Sequence, residues 1–414
     1  MRILLWHGYL LGGTGSNVYT RALARAWAML GHEVVVFSQE PHPEGIDLGG
    51  ALVVRPRIDG VLPVFVLDRY EGLEARLLQD TTPGERKRYV EANAAALREH
   101  LPADLVFANH VLVGGPVAAA TGAPFAIKAH GSELEYSIRG NPDLVTWARE
   151  SLAPARAVYV GSAHIREVLE SVLGHVERVY EVPPGVDVRE FRPKDRDRAL
   201  AALLAECRRD LPNPGNRHER QPDEGNEERL RRWFESGEPT VLYFGKLLFN
   251  KGVHVLFRAL PHVGARAIVV GFGDYRKDLE ALAPGGTLFT GPLEHRHLVH
   301  LLPLVDVVVV PSIFPEAFGM VAAEAAAAGC PPLVARHSGL AEVAAGLEEE
   351  YPAEHRDLAA FTSGDEADLA TKLRGLLALS PDARAELGRA ARRGAEKRWS
   401  WKSVATRLLE PFRN

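Results

Sequence analysis

Two glutamates, Glu316 and Glu324, are separated by seven residues in the stretch VDVVVVPSIFPEAFGMVAAE. They bracket the start of what reads as a helix, FGMVAAEAAAAG. Glu324 lies about a turn and a half inside it, so both carboxylates can face one crevice. The free N–H groups around Phe318, Gly319 and Met320 would point at whatever polar or anionic group binds there. Lys246 and Lys251 lie five apart after the run PTVLYFG, in a chain where arginine far outnumbers lysine. Two fixed ammonium groups and helix-terminal amides can neutralise charge on a leaving group without a metal ion. His130 opens HGSELE after the run APFAIKA. A lone histidine is usually structural, but this one sits beside Gly131 where a strand ends.

The elements that must position these residues follow from pattern. VDVVVV ending in Pro311 and Ser312 reads as a buried parallel strand, then a loop, then the helix that Gly329 closes. In open α/β sheets, ligands sit outside the carboxyl ends of the strands. Arg2–His7, the glycine-bearing loop 8–16, the helix 17–30 and HEVVVFS form a βαβ unit. Gly12, Gly13 and Gly15 permit close backbone approach there. The spacing G-x-G-x-x-G fails, because its third position falls on Val18, and Glu40 alone supports a nicotinamide cofactor. Residues 74–100 read as a surface helix pair, and 103–110 as a strand ending in Asn109 and His110. A second βαβ series starts at 239, with Gly271, Phe272 and Gly273 turning after RAIVVG and Gly291-Pro292-Leu293 turning after TLFT.

The chain has 414 residues, 46% hydrophobic and 25% charged, which predicts two soluble domains with ample core. A net charge of −5 gives no basic field for nucleic acid. Two cysteines, Cys207 and Cys330, fit a reducing cytosol and are too few for a disulfide framework or a zinc site. The N-terminus reads as a first strand and not a signal peptide, and no apolar run is long enough to span a membrane. A cytoplasmic protein is expected, with peripheral membrane contact left open.

The E-x7-E pair, the H-G at His130, the K-G at Lys251 and the opening GGTGSNVYTRALARAWAMLGHEVVV together resemble family 4 of the retaining nucleotide-sugar glycosyltransferases. The resemblance covers nearly the whole chain except 194–238. It implies the GT-B fold, two facing Rossmann-like α/β/α domains with a cleft between them. Residues 1–190 would form the acceptor domain and 239–399 the donor domain. The segment 400–414 would cross back to the first domain, as the family's closing helix does. The resemblance gives Glu324 the ribose hydroxyls and Glu316 with the amides of Phe318, Gly319 and Met320 the donor sugar. Lys246 and Lys251 would hold the diphosphate, and His130 a sugar hydroxyl near the reacting carbon. Gly13 and Gly15 would face the donor phosphates, Gly245, Gly271 and Gly273 would pass close to the nucleotide, and the backbone at Leu293 would meet the base. The family has arginine where this chain has Lys246, which keeps the charge and loses the bidentate fork. PPGVDVREF (183–191) resembles the family's crossing between domains.

The expected reaction moves a sugar from a nucleotide-diphosphate sugar to a small-molecule, glycan or lipid acceptor, with retention and no metal or other cofactor. A sugar-nucleotide epimerase, a phosphorylase and a non-catalytic nucleotide or glycan binder stay open on the same fold. Tyr136 and Arg139 are candidate acceptor contacts. Residues 194–238 read as a charged insert whose middle, 211–227, is flexible. Asp195-Arg196-Asp197 within it, and His295, His297 and His300, read as solvated surface.

Overall fold

Strand residues alternate between two faces, so a sheet covered on both sides needs strands that are apolar throughout. The computed structural model describes residues 1–12, 15–58, 60–65 and 70–413, with Ser132 described by its backbone alone. The chain divides into two compact units, Met1–Gly185 with Trp401–Asn414, and Val186–Ser400.

The first unit holds β1 (Arg2–Trp6), β2 (Glu33–Phe37), β3 (Leu52–Val54), β4 (Val61–Val64), β5 (Glu74–Leu77), β6 (Leu105–Asn109), β7 (Phe125–Lys128), β8 (Ala157–Val160) and β9 (Val179–Glu181). Seven of them make one parallel sheet in the order β3-β2-β1-β6-β7-β8-β9, while β4 and β5 pair separately. Ile3, Leu5, Val34, Val36 and Phe107 join one core cluster. Their chain neighbours Leu4, Trp6, Val35, Phe37, Val106 and Ala108 join another. That alternation is the doubly wound arrangement seen from the side chains. Strand order reverses between β1 and β6, which opens a crevice beyond their carboxyl ends.

The second unit holds β10 (Thr240–Phe244), β11 (Arg266–Val270), β12 (Thr287–Phe289), β13 (Val307–Val310), β14 (Pro332–Ala335) and β15 (Ala360–Phe361). The order is β12-β11-β10-β13-β14-β15, parallel throughout, and it reverses between β10 and β13. All residues of β10 and β13 are buried.

Three sequence expectations change. Residues 74–100 give β5 and a single helix, Pro83–Arg98, because Thr82 and Glu85 form a capping box that fixes its start. The first unit ends at Gly185 and not at 190, and the last residues return to it from Trp401. There Trp27 Nε1 donates to Ala405 O at 2.9 Å and Tyr159 Oη to Leu408 O at 2.6 Å. The segment 194–238 folds as part of the second unit. Its two helices, Arg196–Cys207 and Asn226–Glu235, contribute Leu203, Leu204, Leu230, Trp233 and Phe234 to the core of that unit. Its middle is pinned by buried polar residues: Asp223 receives a fork from Arg276 at 2.8 and 2.6 Å, and Asn226 Nδ2 donates to Thr290 O at 2.8 Å. Asp195 caps the first helix by accepting from Arg198 N at 3.1 Å, a local role that explains its place in the D-R-D run.

Candidate functional site

The loops that follow β10 and β13 meet at the point where strand order reverses. Gly252 has φ +70, and a Cβ there would lie 1.9 Å from Pro311 O, so only glycine lets these two loops touch. Ile313 N donates to Asn250 O at 3.0 Å, and Ser312 Oγ to the same carbonyl at 3.2 Å. This seam brings Lys251 Nζ to 2.5 Å from Glu316 Oε1. Lys246, one residue past Gly245, is exposed, and its carbonyl accepts from the buried Tyr243 Oη at 2.7 Å.

Glu316 is held from the other side by β14. Its N–H donates to Ser338 Oγ at 2.8 Å, and its carbonyl accepts from Gly339 N at 3.0 Å. Ser338 Oγ lies 3.0 Å from His337 Nδ1, and His337 Nε2 lies 2.7 Å from Ser312 O. Because a carbonyl only accepts, His337 carries its proton on Nε2, and Ser338 then donates to Nδ1. His337 thus ties the loop after β13 to the turn after β14. Nothing in the local sequence marks His337, whose role depends on a partner 25 residues away.

Glu324 lies on the helix Met320–Ala327 and is 9% exposed. Gly319 (φ +125) caps this helix and its carbonyl accepts from Ala322 N and Ala323 N at 3.0 and 3.2 Å, so the first-turn amides of Met320 and Val321 are the ones without an intrahelical acceptor. Phe318 is a packing residue, buried against Trp399 with ring centroids 5.9 Å apart, so only its backbone is available to a ligand. Glu324 Oε1 meets His295 Nε2 at 3.2 Å, so His295, exposed as a surface residue, also touches the candidate site.

Gly271 packs against the backbone of Gly245, and Gly273 against that of Leu247. A Cβ on Gly271 would lie 1.8 Å from Gly245 O, and one on Gly273 2.4 Å from Leu247 O. Gly271 N donates to Gly291 O at 3.0 Å, which joins the turn that carries the buried Leu293. The segment 221–226 backs this turn, with Asp223 N and Asn226 Nδ2 both donating to Thr290 O.

In the first unit, His130 follows β7. Its Nε2 donates to Asn109 Oδ1 at 2.9 Å, and Asn109 Nδ2 donates to Thr20 Oγ1 at 3.0 Å. That leaves Nδ1 as an acceptor. Burial, with Lys128 and His7 nearby, holds the His130 pKa well below 6.5, so the ring is neutral. Lys128 is itself buried, donating to Val182 O at 2.7 Å, and burial pushes its pKa down to about 7. Glu133 is fully buried, and burial raises it to about 8 although the His130 amide donates to it at 2.9 Å. His110, at the end of β6, has φ +72, and neither ring nitrogen has a hydrogen-bond partner. Backbone strain of that kind concentrates at functional sites. Gly15 (φ +63) precedes the helix Ser16–Met29, while Gly13 lies outside the described residues. Tyr136 is 67% exposed, and Arg139 is forked onto Glu135 at 2.7 and 3.0 Å.

One cluster could suggest a metal. Ligand atoms of Cys207, Asp210 and His297 lie within 4.8 Å of one another. His297 is fully buried, which corrects its reading as solvated surface. Its Nδ1 accepts from Glu294 N at 3.2 Å, so the proton sits on Nε2, which faces Asp210 Oδ1 at 3.0 Å. A protonated Nε2 is no ligand. Burial also raises the Cys207 thiol to about 12. The cluster is a buried cap for the helix His295–Leu301. Among the described residues no helix is long and apolar enough to cross a membrane.

Two family models match the chain: "Glycosyltransferase Family 4" over residues 13–190 and "Glycosyl transferases group 1" over 226–394. A D-inositol 3-phosphate glycosyltransferase of Catenulispora acidiphila is 30% identical over 79% of this chain and 75% of the relative. An uncharacterized glycosyltransferase of Methanocaldococcus jannaschii is 36% identical over 26% of this chain, which spans 30% of that relative. Among solved structures, the Anabaena HepE protein in complex with UDP aligns with a TM-score of 0.68 at 17% identity, over 99% of both chains.

Proposed function

Because this chain belongs to glycosyltransferase family 4, we propose that it transfers a sugar from a nucleoside diphosphate sugar to a hydroxyl-bearing acceptor, with retention and without a metal ion. One observation carries this reading: Lys251 and Glu316 meet where the strand order of the second unit reverses, with Glu324 on the helix that follows. The bond from the anomeric carbon to the β-phosphate oxygen breaks, and its electrons go to that oxygen. Lys251 exchanges its contact with Glu316 for the phosphate, Lys246 adds a second cation, and the first-turn amides of Met320–Ala327 supply dipoles. Glu316, released, accepts from hydroxyls of the transferred sugar, and Glu324 from the ribose. In the first unit, His130, neutral and with Nδ1 unprotonated, is able to accept from a hydroxyl of a bound ligand. The acceptor hydroxyl attacks the face the diphosphate leaves, and its proton passes to the departing phosphate oxygen.

The UDP held by the Anabaena protein makes UDP-sugars the first donors to try, and the inositol phosphate relative makes a polyol phosphate the first acceptor. The test is transfer in the presence of EDTA, with the product's anomeric proton read by NMR. A product with the donor's anomeric configuration is expected. An inverted product, or activity that EDTA abolishes, contradicts the proposal.

A further inference from the structure

His295 has no part in the reaction as drawn, yet it touches the residue assigned to the ribose. It begins the short helix after the Gly291–Leu293 turn, and its Nε2 lies 3.2 Å from Glu324 Oε1. A carboxylate has only lone pairs to offer, so Nε2 carries a proton and donates it. The imidazole is braced edge-on against Phe191, with ring centroids 5.0 Å apart, and Phe191 is itself 2% exposed. The Glu324 side chain is 12% exposed and that of His295 53%, so the histidine lies toward the open side of the carboxylate.

We propose that His295 is a positioning residue that fixes the Glu324 carboxylate for the ribose diol of the donor nucleotide. This rests on the reading of Glu324 given above. A vicinal diol donates two hydrogen bonds, and a carboxylate that takes both must present its oxygens in one orientation. A glutamate reaches that orientation through three rotatable bonds, and freezing them at the moment of binding costs affinity. His295 occupies one lone pair of Oε1. One lone pair on Oε1 and two on Oε2 remain, enough for both hydroxyls. The contribution is preorganisation: it strengthens donor binding and ribose selectivity while the bond-breaking step is left alone.

The experiment is calorimetric titration of the full chain with UDP, GDP and ADP, each beside its 2′-deoxy counterpart. The variants are His295→Ala, His295→Gln and Glu324→Ala, with donor KM and kcat measured in the transfer assay. The parent should prefer the ribonucleotide. His295→Ala should weaken it by about five- to tenfold, as loss of one ordinary, partly exposed hydrogen bond does, and should lose most of the ribose preference. His295→Gln, which keeps an N–H donor, should restore part of both, and kcat should stay within about twofold. Unchanged affinity and ribose preference in His295→Ala, with Glu324→Ala weakened, overturns the proposal alone. Equal binding by Glu324→Ala, or no binding of any of the three by the parent, removes the reading of Glu324 and this proposal with it.

Discussion

Lys251 and Glu316 sit at 2.5 Å with side chains 30% and 21% exposed, so the pair is reachable by a ligand and not sealed in the core. Lys251→Ala removes the cation that exchanges onto the phosphate. It should lower kcat/KM more than tenfold, with most of the loss in kcat, because the negative charge grows as the bond breaks. Steady-state kinetics with saturating acceptor check this. In the first unit, Glu133 has a folded pKa near 8 against an ordinary 4.5. Below about 4.5 both folded and unfolded chains hold the proton, and burial carries no ionisation cost. As pH rises toward 8 the unfolded chain releases its proton and the folded one does not, so stability falls across that window. Glu133→Gln has nothing to titrate. Its melting temperature relative to the parent should therefore rise steadily from pH 5 to pH 8, and a gap independent of pH would contradict the assignment. Residues of this kind were partly legible in the sequence. His130 and Glu316 follow strand ends and Glu324, with seven residues between it and Glu316, sits inside the next helix, so all three could be singled out from pattern. His295, His297 and His337 could not, since each is defined by partners far along the chain or by burial that a polar letter conceals.

The elements around the second crevice depend on contacts that local sequence does not announce. The stretch 211–227 is rich in charge, proline and glycine, the composition of a solvated loop. In the fold its Asp223 and Asn226 are buried and bond Arg276, between β11 and β12, and Thr290, just after β12, 53 and 64 positions away. Polar groups can be buried when every bond is made, and composition alone cannot show that the partners exist. Asp223→Ala leaves Arg276 without its buried carboxylate and removes the side chain that packs beside Gly291 in the turn after β12, while the backbone bond from residue 223 to Thr290 O stays. It should cost about 2–3 kcal/mol in denaturant unfolding, within the range for breaking a buried ion pair. The same change should raise the dissociation constant for nucleotide, because Leu293 sits on that turn. A variant as stable as the parent would show that the segment is tied down elsewhere.

For the whole molecule, the fold was the most legible level. Long apolar runs separated by amphipathic helices read as parallel strands covered on both faces, and in the structure each sheet has one reversal of strand order, the point where such folds open a crevice. Unit boundaries were less legible, shifting by a few residues at Gly185 and Trp401, because the division is set by long-range contacts and not by a local signal. The central claim is that the second unit binds a nucleotide-sugar donor, its diphosphate through Lys246 and Lys251 and its ribose through Glu324. The most direct measurement is a thermal-shift titration with UDP, GDP, ADP and TDP in EDTA, for the parent and for Glu324→Ala. Ligand that binds only the folded chain raises its melting temperature by mass action. The account predicts that one diphosphate raises the parent's melting temperature and that Glu324→Ala abolishes the shift. A shift that survives in Glu324→Ala, or that appears only when a divalent cation is added, would contradict it.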